Sequence, residues 1–367
     1  MASLPTLFEA FLANIRPQNR HIEDYKNGHK RLREKLQDDD SVSDIYVSDF
    51  LQGSYKRSTA VKPRGDEKSD VDIVFVTSIE KETNPDDALE QCVPFLRNHY
   101  DDDEWKRNDR SFKIERSNVE IDLVLTSTPT EAARSAVEAM GAFDVEENLG
   151  IENKSVLSEA LGMNVKGENE QWKDEPLYIP DRRLQQWEQT HPLKTLEFTS
   201  KKNSLTDGYY VNVVKAIKWW RRCKIPDVEG PSSYPLEHLV GECCPDSLDS
   251  VAQGVTTTLE RIRDEYRSHA AQNQPPELSA HGLPSVDVFD RIDGAEFAEF
   301  HSYVVDAADI ARTAYDEDNK SQSRDEWARL LGDEFPAYEG SDSDSEGGKA
   351  VSFSSSDSTE VSEQEFA

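Results

Sequence analysis

Apolar residues recur at helical spacing from the start of the chain. Leu7, Phe8, Phe11, Leu12 and Ile15, then Ile22, Tyr25, Leu32 and Leu36 beyond Pro17, predict helix over 5–37, ended by Asp38 to Asp40. A strand pattern covers 44–52 and runs into a turn at Gly53. The segments 70–77 (DVDIVFVT) and 119–126 (VEIDLVLT), dense in Val, Ile and Leu, are the clearest strands. From 127 to 200 no period dominates, and polar stretches at 166–174 and 180–183 read as loops. Beyond 205 the pattern turns helical. Tyr210, Val213, Val214, Ile217 and Trp220 form one stripe, closed by Pro226 and Gly230, and further helices are predicted at 234–243, 247–268, 294–316 and 322–331. Strands first and helices after predict an α+β, bilobal chain: a lobe with a mixed sheet at 1–200, including an N-terminal spine helix, and a helical lobe at 201–336. The remainder, 337–367, is acidic and serine-rich with almost no apolar residues, and is expected to be disordered.

Charge changes this picture more than composition does. With 73 acidic against 42 basic residues the net charge is -31, a field that repels nucleic acid and makes a long duplex-binding surface unexpected. A saline cytoplasm accounts for the acidity, as in a halophile, because salt screens the carboxylates from one another. Melting temperature and activity should then rise together from dilute buffer, where the Debye length is about 30 Å, toward molar KCl. Full stability in dilute buffer would contradict that reading. The sequence has no run of 18 apolar residues and no signal-peptide core, so a cytoplasmic protein is expected, with no membrane partner. Four cysteines at irregular spacing (Cys92, Cys223, Cys243, Cys244) do not make a disulfide scaffold. His238 with Cys243 and Cys244 lacks a fourth zinc ligand, and these read as core residues.

Side chains two apart on a strand share a face, so Asp70 and Asp72 point one way while Val71, Ile73 and Phe75 point the other. Paired carboxylates on a strand repel each other and call for a divalent cation, Mg²⁺ by preference, with Mn²⁺ a second possibility. Asp122 supplies a third acid within Ile121, Leu123 and Leu125; its face-mate Glu120 is an outer-position candidate left unassigned. Three carboxylates on neighbouring strands can hold two ions roughly 3.5–4 Å apart, one activating a hydroxyl and one clamping a triphosphate. Upstream, Gln52-Gly53-Ser54 closes a strand and opens a predicted helix, whose free N–H groups suit phosphate.

QGSYKRSTAV, SDVDIVFV and VEIDLVLT together resemble the Gly-Ser…Asp-x-Asp…Asp signature of the polymerase-β-like nucleotidyltransferases. AIKWWRRC followed by SSYPLEHLV, and the ending WARLLGDEFP, narrow the resemblance to the group of oligoadenylate synthetases, cyclic GMP-AMP synthase and the prokaryotic cyclic-oligonucleotide synthases of antiphage defence, over about 45–336. The resemblance implies that Asp70, Asp72 and Asp122 are catalytic metal ligands, Lys218 and Ser233 contact the triphosphate, Tyr234 stacks on a base, and Gln52, Gly53 and Ser54 lie at the nucleotide. It implies a cyclic oligonucleotide messenger made from nucleoside triphosphates in antiviral defence. Lys218 is expected to face the surface opposite the apolar stripe, with Lys215 a competitor on the same helix. The zinc insertion of the animal DNA sensor is absent before residue 218.

Two other readings stay open: a transferase adding nucleotides to an RNA end or a protein, and a catalytically dead scaffold. Retention of all three acids counts against the scaffold. The acidic tail is either a solvating segment or, as in some relatives of the resembled group, the attachment point for a conjugating protein partner at its C-terminus.

Overall fold

The computed structural model describes residues 4–65, 67–130 and 175–338. The expected loop at 166–174 and the expected disorder and conjugation of 339–367 lie outside these residues. The chain opens with α1 (Pro5–Ile15) and α2 (Asn19–Asp38), then β1 (Tyr46–Gln52), the single turn α3 (Gly53–Lys56) and β2 (Ser69–Thr77). There follow α4 (Pro85–Glu90), α5 (Val93–His99), β3 (Trp105–Arg107), β4 (Ser111–Glu115) and β5 (Val119–Thr126). A hairpin of β6 (Leu177–Asp181) and β7 (Gln186–Thr190) leads to α6 (Pro192–Leu205), α7 (Tyr210–Lys224), α8 (Ser233–Cys243), α9 (Val251–Glu265) and α10 (Arg267–Ala271). The described chain closes with β8 (Ser279–Ala280), β9 (Leu283–Asp287), α11 (Gly294–Asp316) and α12 (Lys320–Leu331).

Five strands form one mixed sheet in the order β1-β2-β5-β4-β3, with β2 and β5 parallel and the other pairs antiparallel. The face bearing Val71, Ile73, Phe75, Ile121, Leu123 and Leu125 packs on Tyr25, Leu32 and Leu36 of α2 and on α5. The opposite face divides along its length: Val74 and Val76 are covered by Leu177 and Leu196, whereas at the other end of the strand Asp70 is exposed and Asp72 half-buried. An acidic end beside an apolar end on one face is what positions the site.

The helical lobe has its own core. Phe8, Phe11, Leu12 and Ile15 of α1 join Trp219, Trp220, Leu239, Phe297, Phe300 and Trp327 there. Phe8 meets Trp327 and Phe335 edge-on, with ring centroids 4.9 Å and 5.1 Å apart. The predicted spine helix is thus two helices, broken at Pro17 because proline cannot continue the turn and each half faces a different core. Among the described residues, no helix is long and apolar enough to cross a membrane. All four cysteines are free, and Cys243 and Cys244 are buried as expected.

Candidate active site

The parallel register sets Asp72 directly across from Asp122 and Asp70 across from Glu120. In-register residues of neighbouring strands share a face, so four carboxylates meet on a patch two residues long and two strands wide. On the far side of β5, Lys113 of β4 stands opposite Asp122, but its ammonium goes to Glu120 at 2.8 Å. Glu120 therefore has a cation of its own. Asp70 is exposed; Asp72 and Asp122 are half-buried.

Each of the three acids is held above the ordinary carboxylate range. Desolvation raises Asp70 most, with Lys113 opposing and Glu120 adding. Asp72 is pushed up to about 7, by desolvation first and then by Asp70, with Arg57 opposing. Asp122 is raised to about 6 by desolvation and by Asp70. Asp122 Oδ1 is buried and has no hydrogen-bond partner among the described residues. An orphaned carboxylate oxygen beside two more crowded carboxylates fits a divalent cation, which would satisfy the lone pairs and remove the repulsion together.

Gly53 fixes the cleft floor. Its φ is +82°, and a Cβ built on it would lie 1.7 Å from Asp72 Oδ2 and 2.7 Å from its Cγ. Neighbouring Gln52 pairs with Asp72 in the β1–β2 ladder, so the backbone turns away directly over the acid. Gly53→Ala is expected to displace Asp72 and lower turnover by at least about 100-fold, with a folding cost of about 1–3 kcal/mol from the left-handed backbone. Steady-state rates and thermal melts check both. The helix expected after Gly53 is only one turn long, so Ser54 lies in a short turn whose carbonyl accepts from the Thr59 N–H at 2.9 Å.

Lys218 is not surface-facing. It is buried on α7 and donates to Glu237 Oε1 of α8 at 2.6 Å. The other oxygen of Glu237 accepts from Arg57 Nε at 3.0 Å and from Thr59 Oγ1 at 2.9 Å. α7 is buried all round rather than along one stripe, because α1, α6, α8, α9 and α12 enclose it. Burial alone would raise the Glu237 carboxyl, but Arg57 and Lys218 outweigh it and hold it at about 2. One anion between two cations leaves an excess positive charge, which faces the acids: Arg57 lowers Asp72 and Lys218 lowers Asp70. Lys215 is also buried and sits beside Arg16; burial, then Arg16 and Lys218, bring its pKa down to about 7. The pairing of Arg57 with Glu237 is not legible in the sequence, since residues 180 apart give no local pattern.

A cavity of about 540 Å³ opens beside the acids and takes its walls from both lobes, among them Gln52, Arg57, Gln189, Tyr234 and Arg291. Tyr234 is half-buried with the Arg57 guanidinium 5.5 Å from its ring centre, and Ser233 is exposed at the first turn of α8. The structure thus brings Gln52 and Tyr234 to one cavity and sets Lys218 beside Asp70, while the acids lie outside that cavity's walls.

Comparison with known proteins identifies the family and the fold. Residues 2–129 match the Second Messenger Oligonucleotide or Dinucleotide Synthetase domain. A cyclic AMP-AMP-GMP synthase of Enterobacter hormaechei subsp. hoffmannii is 36% identical over 347 residues, covering 90% of this chain and 91% of that protein. A cyclic AMP-AMP-AMP synthase of an Acinetobacter species is 27% identical, covering 90% and 84%. Among solved structures, the Bradyrhizobium diazoefficiens CD-NTase CdnG in complex with GTP superposes with a TM-score of 0.61 at 12% identity, over 90% of this chain and 94% of that one. The Vibrio cholerae cyclic AMP-GMP synthase DncV, a prokaryotic cGAS homolog, gives 0.55 at 15% identity, over 86% and 78%. At these identities the structural likeness concerns the fold, which is bilobal in these neighbours.

Proposed function

We infer that this chain, which belongs to the second messenger oligonucleotide or dinucleotide synthetases, joins nucleoside triphosphates into a cyclic di- or oligonucleotide. It is a nucleotidyltransferase. The observation that carries the reading is the register of Asp72 against Asp122, with Asp70 beside them and Gly53 closing the floor. The names of the relatives support a ring of three nucleotides, two AMP and one GMP. The resembled group supports a messenger role in antiphage defence, and we take 1–200 and 201–336 as the two functional lobes.

In each step a ribose hydroxyl attacks the α-phosphate of a bound triphosphate. The new P–O bond forms as the bond between the α- and β-phosphates breaks, and pyrophosphate leaves; closing the ring repeats this once more. Asp122, its basicity raised by desolvation and by Asp70, accepts the hydroxyl proton. Asp70, Asp72 and Asp122 would hold Mg²⁺, most simply two ions, whose charge would stabilise the phosphates and lower the hydroxyl pKa. Lys218 and Arg57, pinned by Glu237, set positive charge on the side of the site where the triphosphate enters, and Ser233 and Ser54 offer hydroxyls to it. Tyr234, with Gln52 at the same cavity, receives a base.

The test is incubation of the purified chain with Mg²⁺ and labelled triphosphates, omitting one nucleotide at a time. A phosphatase-resistant product requiring both ATP and GTP supports the reading. Extension of an added RNA end, or labelling of a protein, would replace it with an acceptor-directed transferase.

A further inference from the structure

We propose that His238, Glu242 and His281 form a zinc site that clamps the β8–β9 hairpin to α8 behind the nucleotide cavity. His238 and Glu242 are four residues apart and share one face of α8, with Nε2 and Oε1 3.8 Å apart. His281 comes from the turn between β8 and β9, and one donor atom from each residue lies within 4.8 Å of the others. The two imidazoles nearly face each other, their centroids 4.2 Å apart at 32°. Phe198 stacks on His281 at 3.8 Å, which limits its tilt.

His238 is what needs explaining. Its side chain is 1% exposed, and among the described residues neither ring nitrogen has a partner in good hydrogen-bond geometry. A buried imidazole this poorly satisfied is costly, and such groups in native proteins generally have an ion or water to answer them. The Ser279 backbone makes a loose hydrogen bond that favours a proton on the ring. That is where the outer partner of a metal-bound histidine stands, holding one N–H and aiming the other nitrogen at the ion. Burial keeps both rings neutral, the form that ligates.

Two imidazoles and one carboxylate suit zinc, with bonds of about 2 Å and a fourth, tetrahedral position for water. The exposed Glu242 leaves room for that water. Reaching tetrahedral spacing requires the donors to close by up to about 1.5 Å, a movement that the Glu242 side chain and the His281 turn can make. The site differs in chemistry from the three aspartates: its nitrogen donors disfavour Mg²⁺, and the aspartates offer oxygen only. A bound ion would fix His281, which lines the same cavity as Tyr234.

The full-length chain, stripped with a chelator and dialysed against Zn²⁺ or Co²⁺, tests this by elemental analysis and visible absorption. About one zinc per chain should be retained, and Co²⁺ should give the intense visible bands of a tetrahedral site rather than the weak ones of an oxygen-ligated ion. Glu242→Gln and His281→Gln should each weaken affinity at least about tenfold, while Asp70→Asn with Asp72→Asn should leave it intact. Glu242 is exposed, so its variant keeps the test valid should His281→Gln misfold. No retained zinc, or an affinity unchanged by Glu242→Gln, would overturn the site and leave an aromatic stack of Phe198, His281 and His238.

Discussion

Replacing Asp70 and Asp72 together by Asn is expected to abolish product formation, by at least about 10³-fold, while raising the melting temperature of the metal-free protein. The two effects have one cause. The carboxylates are crowded so that a cation can bind, and without one their repulsion is a cost of folding. The pH dependence follows from the Asp72 shift, from an ordinary 3.8 up to about 7. Between those values the folded state keeps a proton that the unfolded chain has lost, so the cost grows as pH rises through the window and is complete above it. The advantage of the double variant should therefore be small near pH 4 and full at pH 8. Mg²⁺ at pH 8 should raise the melting temperature of the natural chain and not of the variant. Melting curves in which the variant gains nothing at any pH would show that the acids are not under strain.

Glu237→Gln is expected to destabilise the protein by about 3–5 kcal/mol, the usual cost of breaking a buried pair by removing one partner. The amide keeps the shape but removes the negative charge between Arg57 and Lys218, both buried, and turns a donor toward one of them. Denaturant unfolding at pH 7 measures this. The acid dependence runs opposite to that of the aspartates. Glu237 is depressed from 4.5 to about 2, so the unfolded chain binds the extra proton in that window, and the stabilisation is lost as pH falls through it. The difference between the natural chain and Glu237→Gln should narrow below about pH 4. Lys218→Ala belongs with this variant: it leaves Glu237 short of one partner, so it perturbs folding as well as triphosphate binding.

The acids were legible in the sequence because strand periodicity is short-ranged. DVDIVFVT and VEIDLVLT each announce a face, and two such strands in one sheet bring the faces together. The helices at 210–224, 233–243, 294–316 and 320–331 were legible for the same reason. The junction of Arg57, Thr59, Lys218 and Glu237 was not. Lys218 falls opposite an apolar stripe and so reads as surface, and only the packing of five other helices on α7 buries it. Strand β4, with its Lys113 beside Asp122, is short and mixed in character, and its alternation of Phe112 and Ile114 is too brief to stand out. β6, β7 and α6 lie in the stretch that shows no dominant period, since their burial is set by the sheet they cover. His281 meets His238 across 43 residues of chain, a juxtaposition that spacing arguments cannot reach.

The most direct test of the central claim is the intact mass of the product made by the purified chain from ATP, GTP and Mg²⁺. A phosphatase-resistant species whose mass equals two AMP and one GMP less three waters, absent with Asp70→Asn and Asp72→Asn, is the predicted result. A linear product retaining its triphosphate, or a cyclic one that the double variant also makes, would contradict the account.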